Sequence, residues 1–312
     1  MITKEDLLLA HERIKPFVHR TPIISSSTLN DFLDCEVHFK CENFQKIGAF
    51  KARGAFNFAL SMSKSELSKG MLTHSSGNHA QAVAYAAKTL NTNAYIVMPE
   101  NAPQVKIDGV LSYGGKISFC KPTLNAREST AKQIQNKTGA IFIPPYNHNK
   151  IIAGAATAAK ELIEEVKGLD IIITPIGGGG LLSGTALSAK YFEKNTIVIG
   201  AEPKGADDAK RSFDSGNLVP SHNPKTIADG LLTSVGSINF EIIKDHVSEI
   251  ITVSEEEIKS SMRFIWERMK VVVEPSSAVA LAIMYNKPKL FKNKKVGIIL
   301  SGGNVDLSQS YF

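Results

Sequence analysis

The feature that most constrains this chain is a series of short, nearly continuous apolar runs separated by stretches of helical length and pattern. DIIITPI (170–176) and VGIIL (296–300) are apolar on both faces. Such strands must be covered twice, which helix crossovers of a parallel sheet achieve and open hairpins do not. Further runs are EVHFK (36–40), AYIVM (94–98), ISFC (117–120), IFI (141–143), TIVIGAE (196–202) and EIITV (249–253). Helical patterns lie between them at 78–90, 125–137, 180–192 and 255–269. The alternation predicts an α/β protein of βαβ units with mainly parallel sheets. The 312 residues suit one large domain or two modest ones, and no repeat or low-complexity linker marks a boundary.

Composition excludes several classes. Hydrophobic residues make up 43% and charged residues 21%, ordinary for a soluble globular protein. The three cysteines, Cys35, Cys41 and Cys120, are odd in number and form no CxxC pair. A reducing compartment is expected, with neither a disulfide framework nor a zinc site. The start, MITKEDLLLAHERIK, reads as a charged amphipathic helix without the apolar core of a signal peptide. No apolar run approaches the roughly 20 residues that cross a bilayer. The expectation is a cytoplasmic protein with no membrane partner. The net charge of +6 is small and spread. Its densest run, Lys287 to Lys295, carries a single aromatic, Phe291, so no nucleic-acid partner is expected. A mild positive field suits an anionic cofactor or substrate.

Ligands of such sheets bind beyond the carboxyl ends of strands, near helix starts. Three loops there are unusual. Gly177, Gly178, Gly179 and Gly180 follow the run IIITPI and open an apolar helix, an arrangement that turns backbone N–H groups towards a phosphate. The glycines fit G-x-G-x-x-G in neither register, because Leu182 and Ser183 hold the last position. Glu202 as a ribose-binding acid, and with it an NAD-dependent dehydrogenase, is therefore a weaker reading. The second loop, HSSGNHAQA, gathers Ser75, Ser76, Asn78 and His79 at a helix start that can hold a carboxylate. Capping alone would need only one Ser or Asn there. The third is Ser301 with Gly302 and Gly303, again after a strand.

The stretch FQKIGAFKARGA (44–55) joins these loops. Lys51 begins a helical pattern in apolar surroundings, and both burial and the positive helix end favour its neutral, nucleophilic amine. Lys46 reads as a loop charge. Gly48 and Gly54 are expected to let the chain fold closely around a cofactor. One buried lysine, one phosphate cup and no metal motif at either describe pyridoxal phosphate.

Six segments in order, CENFQKIGAFKARGA, HSSGNHAQA, PIGGGGLLSG, AEPKGADD, WERMKVVVEPSSA and LSGGNVDL, resemble the serine racemase and serine/threonine dehydratase family of fold type II pyridoxal-phosphate enzymes. The resemblance covers almost the whole chain. It implies two open twisted α/β domains, a large one of residues 1–69 and 148–312 and a small one of 70–147, with the cofactor between them. It implies Lys51 as the Schiff-base lysine, Phe50 beside the ring, Asn78 on the ring hydroxyl, Gly177 to Gly180 on the phosphate and Ser301 at the pyridine nitrogen. Ser75, Ser76, Asn78, His79 and Arg127 would bind the amino-acid substrate, and Ser76 would face Lys51 as the second acid/base group of a racemase. Glu202, Asp208 and the carbonyl of Ala206 would hold Mg²⁺ or Mn²⁺.

The implied activity is racemisation of L-serine, with dehydration of serine and threonine to the keto acid and ammonia. The rival is a threonine or threo-3-hydroxyaspartate dehydratase with little racemase activity, and a non-catalytic amino-acid sensor is a further alternative. The resemblance also implies a homodimer, and ATP as a candidate effector near Lys46, Gln81, Tyr113 and Lys270. Ile47 and Ala49 depart from the racemase pattern in the loop that helps form that nucleotide site.

Overall fold

The computed structural model describes residues 2–312. Its strands are β1 (Ile23–Ser25), β2 (Glu36–Cys41), β3 (Met71–His74), β4 (Ala94–Pro99), β5 (Lys116–Cys120), β6 (Ile141–Phe142), β7 (Ile171–Pro175), β8 (Ile197–Pro203), β9 (Glu249–Val253) and β10 (Lys295–Leu300). They form a six-stranded sheet in the order β1-β2-β10-β7-β8-β9 and a four-stranded sheet in the order β5-β4-β3-β6. Every pairing is parallel except β1 with β2. The doubly apolar runs occupy the middle of the larger sheet, where Val296 pairs with Ile171 and Ile298 with Ile173. Helices cover both of its faces, and β7 is buried throughout.

Two strands escape the sequence pattern. β1 is a three-residue antiparallel edge strand, and β3 reads MLTH, without β-branched enrichment. β3 is nevertheless the inner strand between β4 and β6, held there by pairing on both sides rather than by intrinsic preference. Because the strands of each sheet run parallel, the loops after β7, β8 and β10 leave the larger sheet at one end. The loop after β3 faces them from the smaller sheet, as the bonds of Asn78 to Glu274 and Asn304 demonstrate.

The helix Lys51–Ala59 is fixed from behind. Its Arg53 is fully buried and donates two hydrogen bonds to Glu42, at 2.7 and 2.8 Å, and two to Glu161, both at 2.8 Å. Lys40 Nζ lies 2.7 Å from Glu161 and donates to the carbonyl of Thr21 at 2.8 Å. Two cations and two carboxylates thus cancel inside the core, with every guanidinium nitrogen bonded. Glu161 is held below the usual carboxylate range by Arg53 and Lys40, which outweigh its burial. The same helix crosses Asn149–Glu165 at glycines: a Cβ on Gly154 would lie 2.6 Å from the Arg53 carbonyl. Gly54 belongs to this helix crossing, against Ile151, so its small size serves packing and not a close approach to a cofactor.

Arg53→Met leaves Glu42 buried without a cation and Glu161 with Lys40 alone, and should cost about 3–5 kcal/mol of stability. Urea unfolding followed by circular dichroism measures it, and a loss below about 1 kcal/mol would mean the cluster relaxes into water.

Candidate active site

The segment before Lys51 is sewn to the segment after β10. Phe50 N–H donates to the Ser301 carbonyl at 3.0 Å, Gly303 N–H to the Gly48 carbonyl at 2.9 Å, and Ala49 bridges Gly302. Lys51 and Ser301 are therefore set relative to each other by backbone bonds. Lys51 opens its helix with no side-chain cap, and its amine donates to the Pro145 carbonyl at 2.7 Å. The nitrogen lies 5.1 Å from the Phe50 ring centroid and 6.0 Å from that of Tyr146. Burial lowers its pKa to about 8, against the pull of the Glu274 carboxylate.

The glycine run leaves β7 through Ile176 and enters the helix Gly180–Phe192. Gly179 has φ +90°, the left-handed region that side chains avoid. A Cβ on Gly178 would sit 2.3 Å from the Tyr146 ring. Among the described residues, no protein acceptor takes the N–H groups from Gly177 to Leu182. Asn239 and Gly236 bond the outward carbonyl of Gly178 instead, at 2.8 and 3.1 Å. The result is a cradle of backbone donors at a helix start, suited to an anion.

Ser75, Ser76 and Gly77 make the turn before the helix Asn78–Thr89, which has no side-chain cap. Plain capping therefore does not account for the hydroxyls. Ser75 Oγ accepts only a 3.3 Å contact from Gly77 N–H, and Ser76 makes no hydrogen bond among the described residues. His79 is buried, its Nε2 lies 3.0 Å from the Ile143 carbonyl, and burial and Lys51 push its pKa down to about 3. The ring is neutral, with its proton on Nε2 facing that carbonyl. Arg127 is half-buried; its Nε is sealed from solvent without a protein partner, and its charge helps depress His74.

Asn78 meets groups that the sequence pattern did not single out. Its amide donates to Glu274 at 2.9 and 3.1 Å and accepts from Asn304 at 2.8 Å. Asn304 also donates to the carbonyl of Ile47, a buried β-branched residue at φ +59°. Glu274 is pushed up to about 7 by burial and by Asp229, while the Asn78 amide and Lys106 hold it down. Ser301 is buried, 3.1 Å from the hydroxyl of Ser277. Glu274, Tyr146, Pro145, Asn304 and Ser277 thus join Lys51 and Ser301. Glu274 and Ser277 fall in the segment WERMKVVVEPSSA and Asn304 in LSGGNVDL, which marks the segments but not the roles of these residues.

Glu202 lies near the carboxyl end of β8 and Asp208 opens the helix that follows, each buried. Glu202 accepts from the N–H groups of Ala209 and Lys210 at 2.9 and 2.8 Å, and Asp208 from that of Val235 at 3.1 Å. Burial and the neighbouring Asp208 and Asp207 push Glu202 up to about 8, and burial raises Asp208 as well. Among the described residues no three His, Cys, Asp or Glu side chains could hold a metal together, so a cation there needs a carbonyl such as that of Ala206.

The family model for pyridoxal-phosphate-dependent enzymes matches residues 14–302. The chain belongs to that family. This pyridoxal-phosphate-dependent enzyme is 50% identical over 314 residues to the serine racemase of Dictyostelium discoideum, covering 98% of this chain and 96% of that one. It is 49% identical to the beta-hydroxyaspartate dehydratase of Paracoccus denitrificans, over 98% of each chain. A crystal structure of the Dictyostelium discoideum serine racemase superposes with a TM-score of 0.94, over 98% of this chain and 99% of that one. The fold is fold type II. The residues present fit the cofactor: a depressed lysine amine, a cradle of unpaired N–H groups for the phosphate and a buried hydroxyl at the far end. No helix among the described residues is long and apolar enough to cross a membrane.

A side chain at position 178 fills the cradle from the Tyr146 side. Gly178→Val should weaken cofactor binding at least about tenfold, or roughly 1.4 kcal/mol, in a titration of the stripped enzyme with pyridoxal phosphate. Unchanged affinity would remove the glycine run from the phosphate site.

Proposed function

We propose that this enzyme racemises L-serine and also eliminates water from it, giving pyruvate and ammonia. The observation that carries the reading is the Lys51 amine, lowered to about 8 between the glycine cradle and the Ser75–His79 turn. Relatives named serine racemase and beta-hydroxyaspartate dehydratase support the same pair of outcomes. The cleft would lie between a small domain of residues 70–147 and a large one of 1–69 and 148–312.

When bound, pyridoxal phosphate supplies the electron sink that makes the substrate α-proton removable. The N–H groups of Gly177 to Gly180 would hold the phosphate, Phe50 would pack beside the ring, and Asn78 would donate to its hydroxyl. Ser301 would donate a neutral hydrogen bond to the ring nitrogen. Ser301 is neutral, so unlike a carboxylate it would not hold a proton on that nitrogen, a setting that would suit β-elimination. Lys51 moves the α-proton on one face, and the Ser76 hydroxyl returns or removes it on the other. The substrate carboxylate binds to Ser75, Asn78 and the N–H of His79, where the neutral imidazole adds no competing charge.

A second reading, dehydration of threo-3-hydroxyaspartate, is favoured by Arg127: its solvent-sealed Nε lacks a protein partner and suits a second acid group. Ser76→Ala should abolish D-serine formation and spare pyruvate release from L-serine. Retained racemisation would refute the two-base assignment. Running the unaltered enzyme on serine, threonine and hydroxyaspartate, with pyruvate, the keto acid and D-serine as readouts, separates the two readings.

Glu202, Asp208 and the Ala206 carbonyl are assigned to Mg²⁺ or Mn²⁺, since hard oxygen donors suit these ions. Glu202 has a folded-state pKa raised to about 8, so its contribution to stability is full below the ordinary value of 4.5 and is lost as pH rises towards 8. A divalent cation would replace the proton, and binding it at lower pH would have to displace that proton. Mg²⁺ should therefore raise the melting temperature more at pH 8 than at pH 6. An equal shift at both, or none, would sink the assignment.

A further inference from the structure

Ser277 has no role in the mechanism above, yet it is fully buried in the helix Pro275–Asn286 with its oxygen against the loop that carries Ser301. A hydroxyl owns one proton and two lone pairs. Ser277 Oγ donates to the Gly302 carbonyl at 2.7 Å and accepts the Gly302 N–H at 2.7 Å. Its proton is thereby committed, and one lone pair is left. The remaining contact, 3.1 Å to Ser301 Oγ, must then be made with the proton of Ser301.

We infer that Ser277 is a positioning residue: its two 2.7 Å bonds to Gly302 lock the peptide beside Ser301 and so hold the Ser301 hydroxyl where its proton would reach the ring nitrogen of the cofactor. With Ser301 only 4% exposed, water is poorly placed to take that proton. Its sole protein acceptor is Ser277, through a longer bond of 3.1 Å that the Ser301 proton would leave for the ring nitrogen when the cofactor binds. Ser277 also ties the Gly302 carbonyl, which accepts Glu274 N–H at 3.1 Å as well, so the strand end bearing Ser301 has little freedom to turn. The inference rests on the reading of Ser301 as the partner of the ring nitrogen and extends it to a residue outside the cofactor contacts.

The test compares how tightly the full chain, stripped and reconstituted, binds pyridoxal phosphate and an analogue with C–H in place of the ring nitrogen. The unaltered protein should prefer the natural cofactor, and Ser301→Ala should erase the preference. Ser277→Ala should shrink it severalfold and shift the visible band of the bound cofactor, Ser277→Thr should restore both, and Ser277→Ala should add nothing in a Ser301→Ala background. If Ser277→Ala weakens both ligands equally, in either background, it acts only on loop structure and the inference is overturned. If Ser301→Ala itself leaves the preference intact, the reading of Ser301 falls and takes the inference with it.

Discussion

The Arg53 cluster is the interaction on which the site depends. Arg53 and Lys51 are two positions apart on one helix, about 200° around its axis, so fixing one towards the core turns the other into the cleft. An apolar residue at 53 could fill the volume, but it would let the helix rotate or slide by fractions of a turn. The guanidinium fork, bonded twice to Glu42 and twice to Glu161, has one low-energy setting. Glu42 directly follows β2 and Glu161 stands on the helix Asn149–Glu165, so that setting ties the lysine to both sheet and helix layer.

Burial is also what tunes the chemistry. Lys51 drops to about 8, Glu274 rises to about 7 and His79 falls to about 3, each moved towards its neutral form by the same loss of water. A site of neutral or half-neutral groups carries little charge of its own. The charges that arrive with phosphate and carboxylate then face backbone dipoles and the helix starts at Gly180 and Asn78, not strong counter-ions. Such a site holds anions while leaving its amine and hydroxyls free to exchange protons.

How much of this could be read from the chain follows from the range of each interaction. The doubly apolar strands and the glycine run were legible because their signal is local: period, composition and position after a strand. Lys51 stood out through its apolar neighbours, and resemblance to a known family supplied roles for Asn78 and Ser301 that spacing alone does not give. Glu274, Tyr146 and Asn304 were not legible. Each is an ordinary polar or aromatic residue whose importance comes from partners far away in the chain, as with Asn78 and Glu274, 196 positions apart. The strand Met71–His74 was missed for a similar reason, since neighbours on both sides impose its pairing. The structure also moved Gly54 from the cofactor to a helix crossing.

The pairing of Gly48–Phe50 with Ser301–Gly303 carries a consequence for the order in which the protein is made. The lysine lies in the first sixth of the chain, and the segment that seats it lies in the last few per cent. A chain emerging from the ribosome carries the reactive amine almost from the outset. It lacks the Ser301–Gly303 seat, and the Asn304 tie to Ile47, until that distant segment has been made. A complete seat for the cofactor thus waits on both segments, which keeps a reactive aldehyde from being held by a half-made site.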